Sequence, residues 1–125
     1  MSDSGSMFLH CRIRVRDIER SVRFYSDLFG FRKVRESVSP AGNRLVFLEL
    51  DGNNTQIELC YQPGGDDFLF PEDVFHFAFS VADLEAFRKR WEPHGVEFWP
   101  EDGPVDGRFY FISDPDGYEI EVLKA

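Results

Sequence analysis

From Phe8 to Val15 apolar and polar side chains alternate, as they do along a half-buried strand. Asp17 then offers an N-cap, and Ile18, Val22, Tyr25 and Phe29 recur at helical spacing. That spacing predicts a helix to about Phe29, ended by Gly30. Strands are predicted near residues 31–37, 44–50 and 55–61. The same order then returns, with a strand over 75–81, an N-cap at Asp83 and a helix to about Trp91 closed by Pro93, His94 and Gly95. Strands near 96–99, 108–113 and 118–123 complete it. The pattern predicts βαβββ twice, in modules 8–62 and 75–124. The stretch 62–73, rich in Gly, Pro and Asp, joins them. Residues 1–6 are polar and are expected to be a flexible tail or an expression remnant. That leaves 7–125 as a single domain of two modules.

The two modules share residues as well as periodicity. His10-Cys-Arg-Ile-Arg-Val-Arg-Asp-Ile-Glu19 matches His76-Phe-Ala-Phe-Ser-Val-Ala-Asp-Leu-Glu85 in His, Val, Asp and Glu, at a spacing of 66 residues. Gln56-Ile57-Glu58-Leu59 matches Glu119-Ile120-Glu121-Val122 at a spacing of 63. A turn precedes each, Asp51-Gly52-Asn53 in the first case and Asp114-Pro115-Asp116-Gly117 in the second.

Side chains alternate across a strand, so parity decides which residues share a face. Cys11, Ile13 and Val15 make an apolar face suited to lie under the helix, and His10, Arg12 and Arg14 oppose it. Phe75, Phe77, Phe79 and Val81 oppose His76, Ala78 and Ser80. Ile57, Leu59 and Tyr61 oppose Gln56, Glu58 and Cys60, while Ile120 and Val122 oppose Glu119 and Glu121. His10, Glu58, His76 and Glu121 thus all fall on the face turned away from the helices. Two imidazoles and two carboxylates suit a first-row divalent ion. Two carboxylates sharing one concave site without a cation would repel and lose solvation. A lone His or Glu on a strand is more often structural or solvated; the recurrence of both types in both modules argues for a metal site.

Composition narrows the classes further. With 42% hydrophobic residues and 14 Phe in 125, the chain has material for a packed core. No apolar run reaches the roughly 18 residues of a membrane span, and no signal peptide precedes the fold. Two cysteines, Cys11 and Cys60, outside any Cys-x-x-Cys pair read as free thiols in a reducing cytoplasm. A net charge of −9 without a basic stripe argues against nucleic acid. The charge is segregated: residues 1–44 hold nine Arg/Lys and five Asp/Glu, and residues 45–125 hold five and eighteen. Such halves suit pairing in a homodimer or, more simply, a solvated surface. A site closed within one chain and one closed between two are both open to the module pattern.

The chain resembles the vicinal-oxygen-chelate superfamily, and within it bacterial-type glyoxalase I. The resemblance rests on Leu9-His10 with Arg14-Val15, Ser21-Val22-Arg23-Phe24-Tyr25, Gly30-Phe31, Ile57-Glu58-Leu59-Cys60-Tyr61 and His76-Phe77-Ala78. Asp114-Pro115-Asp116-Gly117-Tyr118 with Ile120-Glu121 completes the set. It implies an α+β fold of two βαβββ modules forming a cupped mixed sheet, with His10, Glu58, His76 and Glu121 as ligands of one divalent ion. Nickel or cobalt is favoured, since the chain lacks the insertions of zinc-using members, and zinc is possible. It further implies a glutathione–methylglyoxal hemithioacetal as substrate and isomerisation through an enediolate. Glu121 is expected to be the main base and Glu58 its counterpart. Arg14 matches the residue that contacts the glutamyl carboxylate of glutathione. Gln62 stands where its Asn partner is usual, Glu72 replaces a frequent Arg, and Trp99 and Asp106 fall at other contact positions. Phe47, Trp99, Tyr110 and Phe111 offer an apolar pocket lining or, as strand aromatics commonly do, core.

Other readings use the same residues. His10, His76 and Glu121 make a two-His, one-carboxylate set suited to ferrous iron in a dioxygenase, and an epimerase is a further possibility. Drug-sequestering resistance proteins of similar fold bind without catalysis but generally do not keep all four ligand positions.

Overall fold

The computed structural model describes residues 4–65, 67–69 and 73–125. The expectation for Glu72 lies outside the described residues. In the first half, β1 (His10–Arg14) leads through α1 (Ile18–Phe29) to β2 (Arg32–Val38), β3 (Arg44–Glu49) and β4 (Gln56–Tyr61). In the second, β5 (His76–Val81) leads through α2 (Leu84–Trp91) and a single 3-10 turn, Glu92–His94, to β6 (Phe98–Trp99), β7 (Phe109–Ser113) and β8 (Glu119–Lys124). The strands form two four-stranded mixed sheets, ordered β1-β4-β3-β2 and β5-β8-β7-β6. In each, the first strand pairs in parallel with the last, and the remaining neighbours are antiparallel. The chain divides into two compact units, Met1–Phe68 and Leu69–Ala125.

Both helices begin where a carboxylate can satisfy their unpaired N–H groups. Asp17 accepts from the Arg20 N–H at 3.0 Å, and Asp83 accepts from the Ala86 N–H at 3.0 Å. Gly30, at φ 83°, closes α1 in the left-handed region, where its lack of a Cβ removes the usual penalty.

The buried stripe of α1 differs from the expected one. Ile18 and Tyr25 are buried as predicted, but Ser21 is fully buried while Val22 and Phe29 are only partly covered. The helix packs chiefly on β4, and a small side chain at its centre lets it lie close to that strand. Hydrophobicity alone passes over such a position. The expected strand 96–99 shortens to Phe98–Trp99 because the Val96 N–H still donates to the Trp91 carbonyl, at 3.4 Å, as part of the helix end.

Of the two readings open for Tyr110, pocket lining or core, the structure bears out the core. It is 1% exposed, with its hydroxyl donating to the Leu84 carbonyl at 2.6 Å. Burial pushes its phenol up to about 12. On β7 its parity is opposite to that of Phe109 and Phe111, so it faces α2 while they face the other way. No helix among the described residues is long and apolar enough to cross a membrane.

Candidate active site

Strand register sets the first cluster. In the parallel β1–β4 pair Arg12 stands opposite Glu58, and in the antiparallel β3–β4 pair Phe47 stands opposite the same residue. Glu58 is thereby flanked on its own face from both sides. His10, one pleat before Arg12, brings its Nε2 to 4.0 Å from Glu58 Oε2, and its ring meets the Phe47 ring edge-on at 5.4 Å. Arg12 Nε donates to the other carboxylate oxygen, Oε1. That hydrogen bond raises the Arg12 guanidinium above its ordinary range. The Glu58 side chain is 4% exposed and that of Arg12 51%, so a buried carboxylate is covered by a half-open guanidinium.

The second unit repeats the arrangement with one change. Glu121 is flanked by Ala78 on β5 and Phe111 on β7. His76 Nε2 lies 3.3 Å from Glu121 Oε1, and the His76 and Phe111 rings meet edge-on at 5.8 Å. Each unit therefore presents a His–Glu–Phe trio from corresponding strands. Alanine replaces arginine beside the second carboxylate, whose side chain is 21% exposed.

The turn before β8 aims Glu121. Asp114 is 5% exposed, and its Oδ1 accepts the N–H groups of Asp116 and Tyr118, both at 2.9 Å. Gly117 takes φ 96° and donates to the Asp114 carbonyl at 3.0 Å. The carboxylate thus replaces water as acceptor inside a tight turn and sets the register on which Glu121 enters its strand.

Arg14 and Gln62 also come together, against Gly65. Arg14 Nη2 donates to the Gly65 carbonyl at 2.5 Å, and its guanidinium lies 4.8 Å over the Phe68 ring. A Cβ built on Gly65 would stand 2.6 Å from Arg14 Nη2 and 3.0 Å from Gln62 Cδ. Arg16 lies 4.1 Å over the same ring. Trp99 stacks on Phe111, with centroids 6.1 Å apart. Asp106 sits on an exposed turn at φ 52° beside Arg108. Arg12 was legible from parity only as a member of the polar face. Its bond to Glu58 depends on which residue of β4 stands opposite, and a single strand does not carry that information.

The donor chemistry fits a divalent ion. Two donors bound side by side on one first-row ion, with bonds of about 2.1 Å, stand roughly 3 Å apart; the His76–Glu121 separation of 3.3 Å is close to that, and the His10–Glu58 separation of 4.0 Å is longer. Among the described residues no three His, Cys, Asp or Glu side chains cluster as one ligand group, so each trio by itself offers two ligands.

Two sheets of this order with a His–Glu pair on corresponding strands define a vicinal-oxygen-chelate protein. The chain belongs to the Glyoxalase/Bleomycin resistance protein/Dioxygenase superfamily, whose family model matches residues 7–122. It is 37% identical to the lactoylglutathione lyase of Haemophilus influenzae over 93% of this chain and 90% of that one. The Salmonella typhimurium lactoylglutathione lyase is 32% identical over 94% and 91%. Among solved structures, the glyoxalase I of Leishmania major, described as trypanothione-dependent, superposes with a TM-score of 0.84 at 32% identity. That match covers 96% of this chain and 87% of the other.

Proposed function

We propose that the chain is a glyoxalase I-type enzyme, a metal-dependent lyase that isomerises a 2-oxoaldehyde–thiol hemithioacetal to a hydroxyacyl thioester. The observation that carries this reading is one His–Glu–Phe arrangement occurring twice, in a chain whose relatives are lactoylglutathione lyases. The family implies a divalent metal, and His10, Glu58, His76 and Glu121 are its proposed ligands. Nickel or cobalt is favoured over zinc. When bound, such an ion polarises substrate oxygens and steadies the negative charge that develops on them, typically by several kcal/mol.

In the reaction the C–H bond beside sulfur breaks and a C–H bond forms at the neighbouring carbon. A hydroxyl proton passes between the two oxygens, so no atom or electron enters or leaves. Glu121, the more accessible carboxylate, carries the proton between the carbons. Glu58 is its proposed counterpart. Arg14 and Gln62 receive the anionic end of the thiol partner, which the proposal takes as glutathione. A homodimer in the cytoplasm completes the reading, supported by the segregated charge of the chain and the two free cysteines.

The deciding experiment is metal analysis of the purified protein combined with a methylglyoxal–glutathione assay after Ni(II), Co(II) or Zn(II) addition. Thioester formation with at least one metal is expected. No thioester with any metal at full loading would end the lyase assignment. Gly65→Ala tests the substrate contacts. Its methyl group would displace Arg14 and Gln62 at flexible side-chain ends, so the thermal midpoint should hardly move. KM should rise roughly tenfold, the equivalent of about 1.4 kcal/mol, with kcat little changed. An unchanged KM would remove Arg14 from the substrate site.

A further inference from the structure

The two halves of the chain carry matching His, Glu and Phe residues, and the clearest departure from that match is chemical. Arg12 stands opposite Glu58 where Ala78 stands opposite Glu121. The Arg12 guanidinium holds Glu58 Oε1, and the remaining oxygen, Oε2, is the one that faces His10 Nε2. A carboxylate can bind a cation through either oxygen or both, and a side chain with several rotatable bonds samples all three modes. A donor anchored on the neighbouring strand removes two of them.

We infer that Arg12 is a positioning residue, which fixes the Glu58 carboxylate so that it offers Oε2 alone, beside His10, as a one-oxygen metal ligand. The inference rests on the proposed metal role of His10 and Glu58 and deepens it. Three observations support it. The Arg12–Glu58 pairing is set by backbone register, so the clamp is built before any metal arrives. The carboxylate is 4% exposed, which leaves solvent little part in orienting it. Phe47 closes the other side of Glu58, and its own ring is covered by the Arg35 guanidinium at 3.8 Å, so the carboxylate has one polar side and one apolar side. Groups that hold a ligating side chain by its second polar atom commonly change metal affinity by about 10–100-fold when removed.

The test compares wild type, Arg12→Met and Arg12→Lys, each stripped of metal and titrated with Co(II) and Zn(II) against a competing chelator. The visible spectrum of the Co(II) form is recorded in parallel. Arg12→Met keeps the length of the side chain without its donors. The inference expects its metal affinity to fall about 10–100-fold, with a changed Co(II) spectrum as Glu58 alters its binding mode. Arg12→Lys, which restores one cationic donor, is expected to recover part of both. Equal affinity and an identical spectrum in Arg12→Met would overturn the clamp. Tighter binding in Arg12→Met would also overturn it, because Arg12 would then be a competitor of the metal for Glu58. Wild-type protein that binds neither metal would remove the ligand assignment itself, an outcome distinct from the other two. Should Arg12→Met not fold, full wild-type affinity and spectrum in Arg12→Asn would count against the clamp.

Discussion

Replacing Glu121 by Gln is expected to lower kcat for thioester formation by about 10²–10⁴-fold, the usual contribution of a positioned acid–base group. The substitution keeps the size and planarity of the side chain and removes its capacity to take and return a proton. Glu121 sits at the centre of β8, flanked by Ala78 and Phe111, so an amide of the same shape fits without rebuilding the strand. The fold should therefore survive, and the thermal midpoint of the metal-free variant is the control. Because Glu121 is also a proposed metal ligand, turnover must be expressed per bound metal ion. A loss that disappears on that basis would reassign Glu121 from proton carrier to ligand alone. Undiminished turnover per protein would remove it from the chemistry altogether.

The second large effect concerns stability. Asp114→Ala should destabilise the protein by roughly 2–4 kcal/mol, since one buried carboxylate oxygen accepts two backbone N–H groups and each such charge-assisted bond is worth about 1.5–3 kcal/mol. The Tyr118 N–H is buried, so water cannot take over its partner's role without opening the turn. On a chain of this length that cost corresponds to a fall in Tm of roughly 10 °C, measured by circular dichroism on the metal-free protein. Asp114→Asn retains an acceptor oxygen and should lose much less. An alanine variant as stable as wild type would refute this account of the turn. The turn also aims β8, so the alanine variant should lose activity beyond what its folded fraction explains.

Much of this architecture was readable in the chain, and for a physical reason. Helix caps, helix-ending glycines and strand alternation are local: Asp17, Asp83 and Gly30 act on backbone groups within five residues of themselves. The repeat that equates His10 with His76 and Glu58 with Glu121 is likewise a property of order along the chain, and so is the parity that puts these four away from the helices. Where the local reading failed, packing between elements overruled hydrophobicity. Ser21 is fully buried, and Val22 and Phe29 only partly covered, because α1 lies close on β4.

What the amino-acid order determined by itself was the elements, their twofold repetition, the face each polar residue occupies and the kinds of donor atoms available. Only the tertiary structure decided which of those residues meet. Pairing across strands depends on register, and register is chosen by turns and bulges far from the residues it brings together. Hence Arg12 on Glu58, Phe47 and Phe111 against the two histidines, and Arg14 with Gln62 on Gly65 emerge only when the strands and the following loop are assembled.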